Sequence, residues 1–311
     1  MLVYLNGQIV PATEAKISVF DRGFIFGDGI YEGLLATSLS GKRRVVGLQR
    51  HVRRLTEGLA SIGVHFDATS LIAATDELLD ANRLAEAFVY WQVTRGCPPL
   101  DGSAPVRSRV PAPGTEPTVF AYASAIAPIR RDAKPPLKRA STQPDRRWLN
   151  GTIKSTSLLG NVQAMMAADD AGAEEALLVR DGLLTEGTYT NVALVYKHGS
   201  EVRVATPSLT SAPLLAGVTR QILLDHAPSL IQEAIPAHRL TTAREILLLG
   251  TTTMITAVTH LDGRPVGSGS SGPVAQRLHD TLIDLIATER EDIPAATSSN
   301  HRLHAAATRP G

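Results

Sequence analysis

Lys154 is the residue of this chain whose neighbours best suit it to chemistry. It stands in the stretch Trp148-Leu149-Asn150-Gly151-Thr152-Ile153-Lys154-Ser155-Thr156-Ser157-Leu158, which is otherwise apolar or small and polar. The other five lysines, Lys16, Lys42, Lys134, Lys138 and Lys197, lie beside turns, prolines or other charges. An amine in partly apolar surroundings is poorly solvated as an ammonium, which favours the neutral, nucleophilic form that Schiff-base chemistry requires. Further residues could serve such an amine. Glu186, in Thr185-Glu186-Gly187-Thr188-Tyr189-Thr190-Asn191, is an acid between two expected strands. Gly217-Val218-Thr219-Arg220 offers free amides and a hydroxyl at a helix start, a ready anion site. Gly250-Thr251-Thr252-Thr253 presents hydroxyls and amides at the end of a buried strand, and Arg54 supplies a guanidinium from a helix. Taken singly, each is more readily an ordinary turn, helix start or solvated arginine than a site.

The elements that must position these residues can be read in outline. Leu2 to Leu5 and Gln8 to Val10 flank Asn6-Gly7, the dipeptide suited to a type I′ hairpin. Val52, Leu55, Leu59 and Ile62 recur at helical spacing, with Arg54 just off the apolar stripe. Phe88 to Thr94 and Thr118 to Tyr122 are rich in β-branched and aromatic residues and read as strands. The proline-bearing stretch 97–117 reads as a long loop, and Pro128 to Pro136 as a linker. In the second half a helix is expected from Ser155 to Ala171, stopped by Gly172, followed by strands at Ala176 to Val179, Asn191 to Tyr196, Val202 to Ala205 and Ile246 to Gly250. Helices are expected from Gly217 and from Pro273. The expected division is a first domain over 1–126, a linker over 127–134, a second domain over 135–292 and a disordered tail over 293–311, which has no apolar periodicity.

Composition narrows the class. The chain has 311 residues, a length that suits two domains. A net charge of +1 with 20% charged residues offers no basic stripe for nucleic acid. Its apolar runs fall short of the roughly 20 residues needed to cross a bilayer. With a single cysteine, Cys97, and an N-terminus that enters a hairpin directly, a cytoplasmic protein without metal or membrane partners is expected.

In combination the motifs are more specific. The order Arg54, Lys154, Glu186, Gly217 to Arg220 and Gly250-Thr251-Thr252 resembles the fold-type IV, or class IV, pyridoxal-phosphate aminotransferases, over about residues 2 to 288. Asp21 to Glu32 and Trp148 to Asn161 look most like the D-amino-acid transaminase branch; Thr94-Arg95-Gly96 and His51 with Arg54-Leu55 also match. The resemblance implies an α/β (α+β) protein, a small N-terminal α/β domain and a larger pseudo-barrel domain with pyridoxal 5′-phosphate between them, acting as a homodimer. Lys154 would carry the cofactor as a Schiff base and act as the catalytic base. Glu186 would face the pyridine nitrogen, and Leu215 would pack beneath the ring. Arg54, Val218, Thr219 and Thr251 would hold the phosphate, and Tyr31 and Thr252 would face substrate. An amino group would pass from an amino donor to a 2-keto acid in two half-reactions.

The pattern departs from the D-amino-acid branch at Leu100-Asp101-Gly102, where an Arg-x-His carboxylate trap is expected. Arg95, Arg107 and Arg109 are the nearby cations that could replace it. A D-amino acid with a rearranged carboxylate site is the first expectation; an (R)-amine or branched-chain donor, and an aminodeoxychorismate lyase on the same fold, are the alternatives. A non-catalytic binding protein would be expected to lose Lys154 or Glu186. Tyr189 could either reshape the cofactor's edge or pack in the core.

Overall fold

The computed structural model describes residues 1–100 and 107–292; the expected tail and Asp101-Gly102 lie outside them. The first half builds a six-stranded antiparallel sheet. Its strands are β1 (Leu2–Leu5), β2 (Gln8–Pro11), β3 (Gly29–Thr37), β4 (Arg44–Val45), β5 (Ala87–Cys97) and β6 (Glu116–Ala125), in the order β2-β1-β6-β5-β3-β4. The β1–β2 turn is the expected one, since Asn6 and Gly7 both take positive φ, 47° and 88°. A one-turn helix, α1 (Arg22–Phe26), precedes β3. Helices α2 (Leu48–Ser61) and α3 (Ser70–Ala81) cover one face of the sheet. The period of two in β5 buries Val89, Trp91 and Val93 against these helices. The opposite face is aromatic, with Tyr31 and Tyr90 stacked at 5.5 Å and Tyr90 and Tyr122 at 5.2 Å.

The second half builds a nine-stranded mixed sheet from β7 (Leu137–Pro144), β8 (Glu175–Arg180), β9 (Leu183–Gly187), β10 (Asn191–His198), β11 (Glu201–Pro207), β12 (Leu230–Glu233), β13 (Glu245–Gly250), β14 (Met254–Leu261) and β15 (Arg264–Pro265). The order is β12-β11-β10-β13-β14-β7-β8-β9, with β15 beside β14. The sheet curls strongly, and β9 folds back against β10 and β11. Strands β10 and β13 are apolar on both faces because they lie between two cores. One core is completed by α5 (Val218–His226) and α6 (Pro273–Ala287). Helix α4 (Leu159–Asp170) packs on β7 and β8.

Two expectations change. The helix expected from Ser155 begins only at Leu159, because residues 154 to 156 hydrogen-bond to the first sheet: Ser155 bridges Ile30, and the Thr156 amide donates to the Gly29 carbonyl at 3.0 Å. The apolar helix starting near Val52 begins earlier, at Leu48, which places His51 on its buried face. The two halves are also tied by ions. Arg44 donates from both terminal nitrogens to buried Glu291, beyond α6, and Arg50 donates to Asp225 of α5 at 2.7 Å. Among the described residues no helix is long and apolar enough to cross a membrane, and no cluster of metal-ligating side chains occurs.

Candidate active site

A cleft with about 800 Å³ of empty space opens between the two sheets. Lys154 lies in it on the short segment stitched to β3, where the Tyr31 amide donates to the Lys154 carbonyl at 3.0 Å. Its Nζ sits 4.1 Å from the centroid of the Tyr31 ring. Its surroundings are partly apolar and partly charged. The amine is half-buried over an aromatic face, in a cleft that also carries Glu186, Arg147 and Arg54. The cause is β3, whose alternation turns Tyr31 and Gly33 toward the cleft and Ile30, Glu32 and Leu34 away from it.

Glu186 occupies the penultimate position of β9 and is 4% exposed. It accepts hydrogen bonds from Arg147 Nη1 at 2.6 Å, Asn191 Nδ2 at 3.0 Å and the Leu215 amide at 3.1 Å. Burial pushes its carboxyl up to about 7, against the opposing pull of Arg147, the Leu215 amide and Lys154. Arg147 is itself fixed by Asp145, through Nε at 2.9 Å and Nη2 at 2.8 Å, and Asp145 also accepts from Arg180 at 3.0 Å. Asp145, Arg147 and Asn191 escaped the sequence reading. Their signal was an acid two residues from an arginine, just ahead of the lysine segment, and an asparagine opening the strand after Glu186.

Arg54 reaches the other end of the cleft from α2. Its guanidinium forks onto Glu32, with Nε to Oε1 at 2.7 Å and Nη2 to Oε2 at 2.6 Å, while Nη1 donates to the Ala216 carbonyl at 2.8 Å. Glu32 is fully buried; burial alone would raise its carboxyl, but Arg54 and His51 hold it down at about 2. Beside Arg54, α5 begins at Val218 without any side-chain cap, so its first amides face the cleft unclaimed. Gly217 is required there, because a Cβ would collide with the Asn191 carboxamide oxygen. Thr219 and Thr251 line the same end.

Eight of the nine residues singled out in the sequence, Lys154, Glu186, Arg54, Leu215, Val218, Thr219, Thr251 and Tyr31, thus line one cleft. Thr252 does not. It is exposed on the turn between β13 and β14 and is absent from the lining. Tyr189 is not a core aromatic: it is 53% exposed, lines the cleft mouth, and its hydroxyl accepts from Lys138 Nζ at 2.6 Å. The candidate replacements for the carboxylate trap lie elsewhere. Arg95 forks onto Asp28 at 2.7 and 3.1 Å, Arg107 stacks on Phe26, and exposed Arg109 gives its carbonyl to Arg22.

A curled mixed sheet and a smaller antiparallel sheet with a lysine, a buried glutamate and an anion cup between them define the class, and the sequence comparisons agree. Residues 29–261 match the model of the amino-transferase class IV family, and the chain belongs to that family. It is 34% identical over 301 residues to the D-alanine aminotransferase of Bacillus licheniformis, covering 93% of this chain and 98% of that one. It is 32% identical over 296 residues to a putative branched-chain-amino-acid aminotransferase of Methanocaldococcus jannaschii, covering 92% and 96%. Among solved structures, the branched-chain aminotransferase of the archaeon Thermoproteus uzoniensis, with norvaline, superposes with a TM-score of 0.78 at 26% identity, covering 94% and 96%.

The protein is an aminotransferase acting on an amino donor and a keto-acid acceptor, and its cofactor is pyridoxal phosphate. The cleft suits that group. A buried carboxylate stands ready for a ring nitrogen, an amine for an aldehyde, and uncapped amides beside a guanidinium for a phosphate.

Proposed function

We propose that this enzyme moves the amino group of a D-amino acid to a 2-keto acid, with Lys154 as the covalent anchor of the cofactor and then as the base that moves the substrate proton. What carries the D-amino-acid reading is the 34% identity to a D-alanine aminotransferase across 93% of the chain. Bound in the cleft, pyridoxal phosphate supplies a ring that accepts the electrons of a breaking Cα–H bond. Glu186, held by Arg147, Asn191 and the Leu215 amide, would keep a proton on the ring nitrogen. Leu215 would pack against the ring, and Arg54, the Val218 and Thr219 amides and the Thr251 hydroxyl would hold the phosphate. Lys154, once free, would take and return the substrate proton at its edge of the cleft, its amine lying over the face of Tyr31.

A second copy of the chain covers the apolar stripe of α4 formed by Leu159, Val162 and Met166, each more than half exposed. Homodimer formation is checked by sedimentation, and a monomer at micromolar concentration would remove it.

One observation favours a different donor. Among the described residues, both arginines that line the cleft are already engaged, Arg54 by Glu32 and Arg147 by Asp145 and Glu186. A donor without a carboxylate, such as an (R)-amine, needs no further cation. The test is a half-reaction screen of D-amino acids, branched-chain L-amino acids and (R)-amines, read as conversion of the cofactor to its amine form. Fastest conversion by D-alanine or a related D-amino acid is expected. Fastest conversion by a branched-chain L-amino acid or an amine reassigns the donor, and release of a product without any keto acid present points to a lyase.

A further inference from the structure

His51 is a buried titratable group with no part in the chemistry above. Its ring is 1% exposed, and Nδ1 lies 2.7 Å from Glu32 Oε2. Because Arg54 keeps Glu32 ionised, Nδ1 carries the hydrogen of that contact and Nε2 is left with a bare lone pair. Among the described residues Nε2 has no hydrogen-bond partner. The ring borders a cavity of about 10 Å³, room for about one water molecule, where Val218, Thr219 and Thr251 meet a mostly apolar wall. These three also line the cleft, so the imidazole backs onto the anion cup from behind.

The charges that act on this ring are Glu32 from β3, Arg54 from its own helix, Lys154 across the cleft and Asp292 beyond α6. The faces that α5, β14 and α6 turn to the cavity carry apolar side chains and the Thr219 hydroxyl. Burial lowers the His51 value, outweighing the pull of Glu32, so the ring is neutral near pH 7 while the cup is empty. A dianion placed across one water molecule adds negative charge in a poorly solvated site and favours the imidazolium.

We propose that His51 couples occupation of the cup to protonation: a dianionic phosphate group entering beside Thr219 draws one proton from solvent onto His51 Nε2. The imidazolium, clamped at Nδ1 by Glu32, then faces the anion across one water. This rests on reading Arg54, Val218, Thr219 and Thr251 as the phosphate site. Its consequence is that anion affinity weakens as the pH rises through the bound-state value of the ring, by up to about tenfold per pH unit.

The test uses sulfate, which stays dianionic near neutrality, titrated calorimetrically into cofactor-free protein in two buffers of different protonation enthalpy. Uptake of about one proton per sulfate at about pH 7 is expected in the wild type. In His51→Gln sulfate still binds, more weakly, and uptake falls to the fraction that Glu186, at about 7 in the same cleft, contributes. Sulfate binding without uptake in the wild type, or with equal uptake in the variant, overturns the coupling. Absence of sulfate binding in the wild type overturns the cup itself and the coupling with it. Should the variant fail to fold, ¹⁵N spectra of histidine-labelled wild-type protein decide the matter: the His51 Nε2 signal is expected to move from the lone-pair to the protonated position on adding sulfate, and a signal that stays put overturns the proposal.

Discussion

At the scale of single residues, Lys154 and Glu186 make separable predictions. Borohydride treatment of the loaded enzyme is expected to fix the cofactor's mass on the peptide holding Lys154; in Lys154→Ala, trapping at any other lysine would refute the assignment. Glu186 binds its proton more tightly in the folded chain, at about 7, than the ordinary 4.5 of an unfolded glutamate. It therefore contributes stability to the cofactor-free protein that is fully present below about pH 4.5 and is lost as the pH rises through about 7, on the order of 3 kcal/mol. Glu186→Gln removes that slope, which denaturant titrations across the range would measure. Both residues were legible because each is a chemically costly group in a motif of small residues. Arg147 and Asp145 were not, because a charged pair in sequence is usually a solvated surface feature, and only the fold of β9 brings Glu186 to within 2.6 Å of the guanidinium. Whether Arg95 reaches the site stays open in the sequence for a related reason: the sequence shows a cation near the trap position but not that Asp28 already holds it.

Among the elements, those with a strong period of their own were readable, such as α2 with its stripe and the β1–β2 hairpin with its Asn-Gly turn. Strands β3 and β7 were not. β3 contains Gly29, Glu32 and Gly33, β7 is largely polar, and each becomes a strand because neighbours on both sides supply hydrogen bonds. The start of α4 was misjudged because the helical pattern extends back through Ser155, while the bridge to Ile30 holds that residue extended. The loop into α5 yields an element-scale prediction. Gly217→Ala drives a methyl group into Asn191, which also holds Glu186, so one methyl disturbs the cup and the ring-nitrogen partner together. Cofactor affinity is expected to fall at least about tenfold, since the loss of one charge-assisted contact is worth about 1.5–3 kcal/mol. Fluorescence titration of the cofactor would show it, and unchanged affinity would mean that the loop shifts freely.

Across the whole molecule, the halves are fastened at a point remote from the chemistry, where Arg44 of the first sheet grips Glu291. Glu291 is buried and Arg44 only partly so, and without the carboxylate Arg44 keeps just the Ile286 carbonyl, so Glu291→Ala is expected to lower stability by about 1–3 kcal/mol and to speed cofactor loss, because the cleft lies between the halves that the pair joins. Stopped-flow measurement of release against an apo-protein scavenger would separate that effect from a loss confined to melting temperature. The bridge between Ile30 and Ser155 has a consequence of another kind. A chain made from its first residue onward completes the strand that will receive Lys154 well before the lysine is synthesised. The amine is directed only once the two halves have met on that strand, and a molecule in which they have not leaves it undirected. Chemical competence thus doubles as a report that the halves have joined.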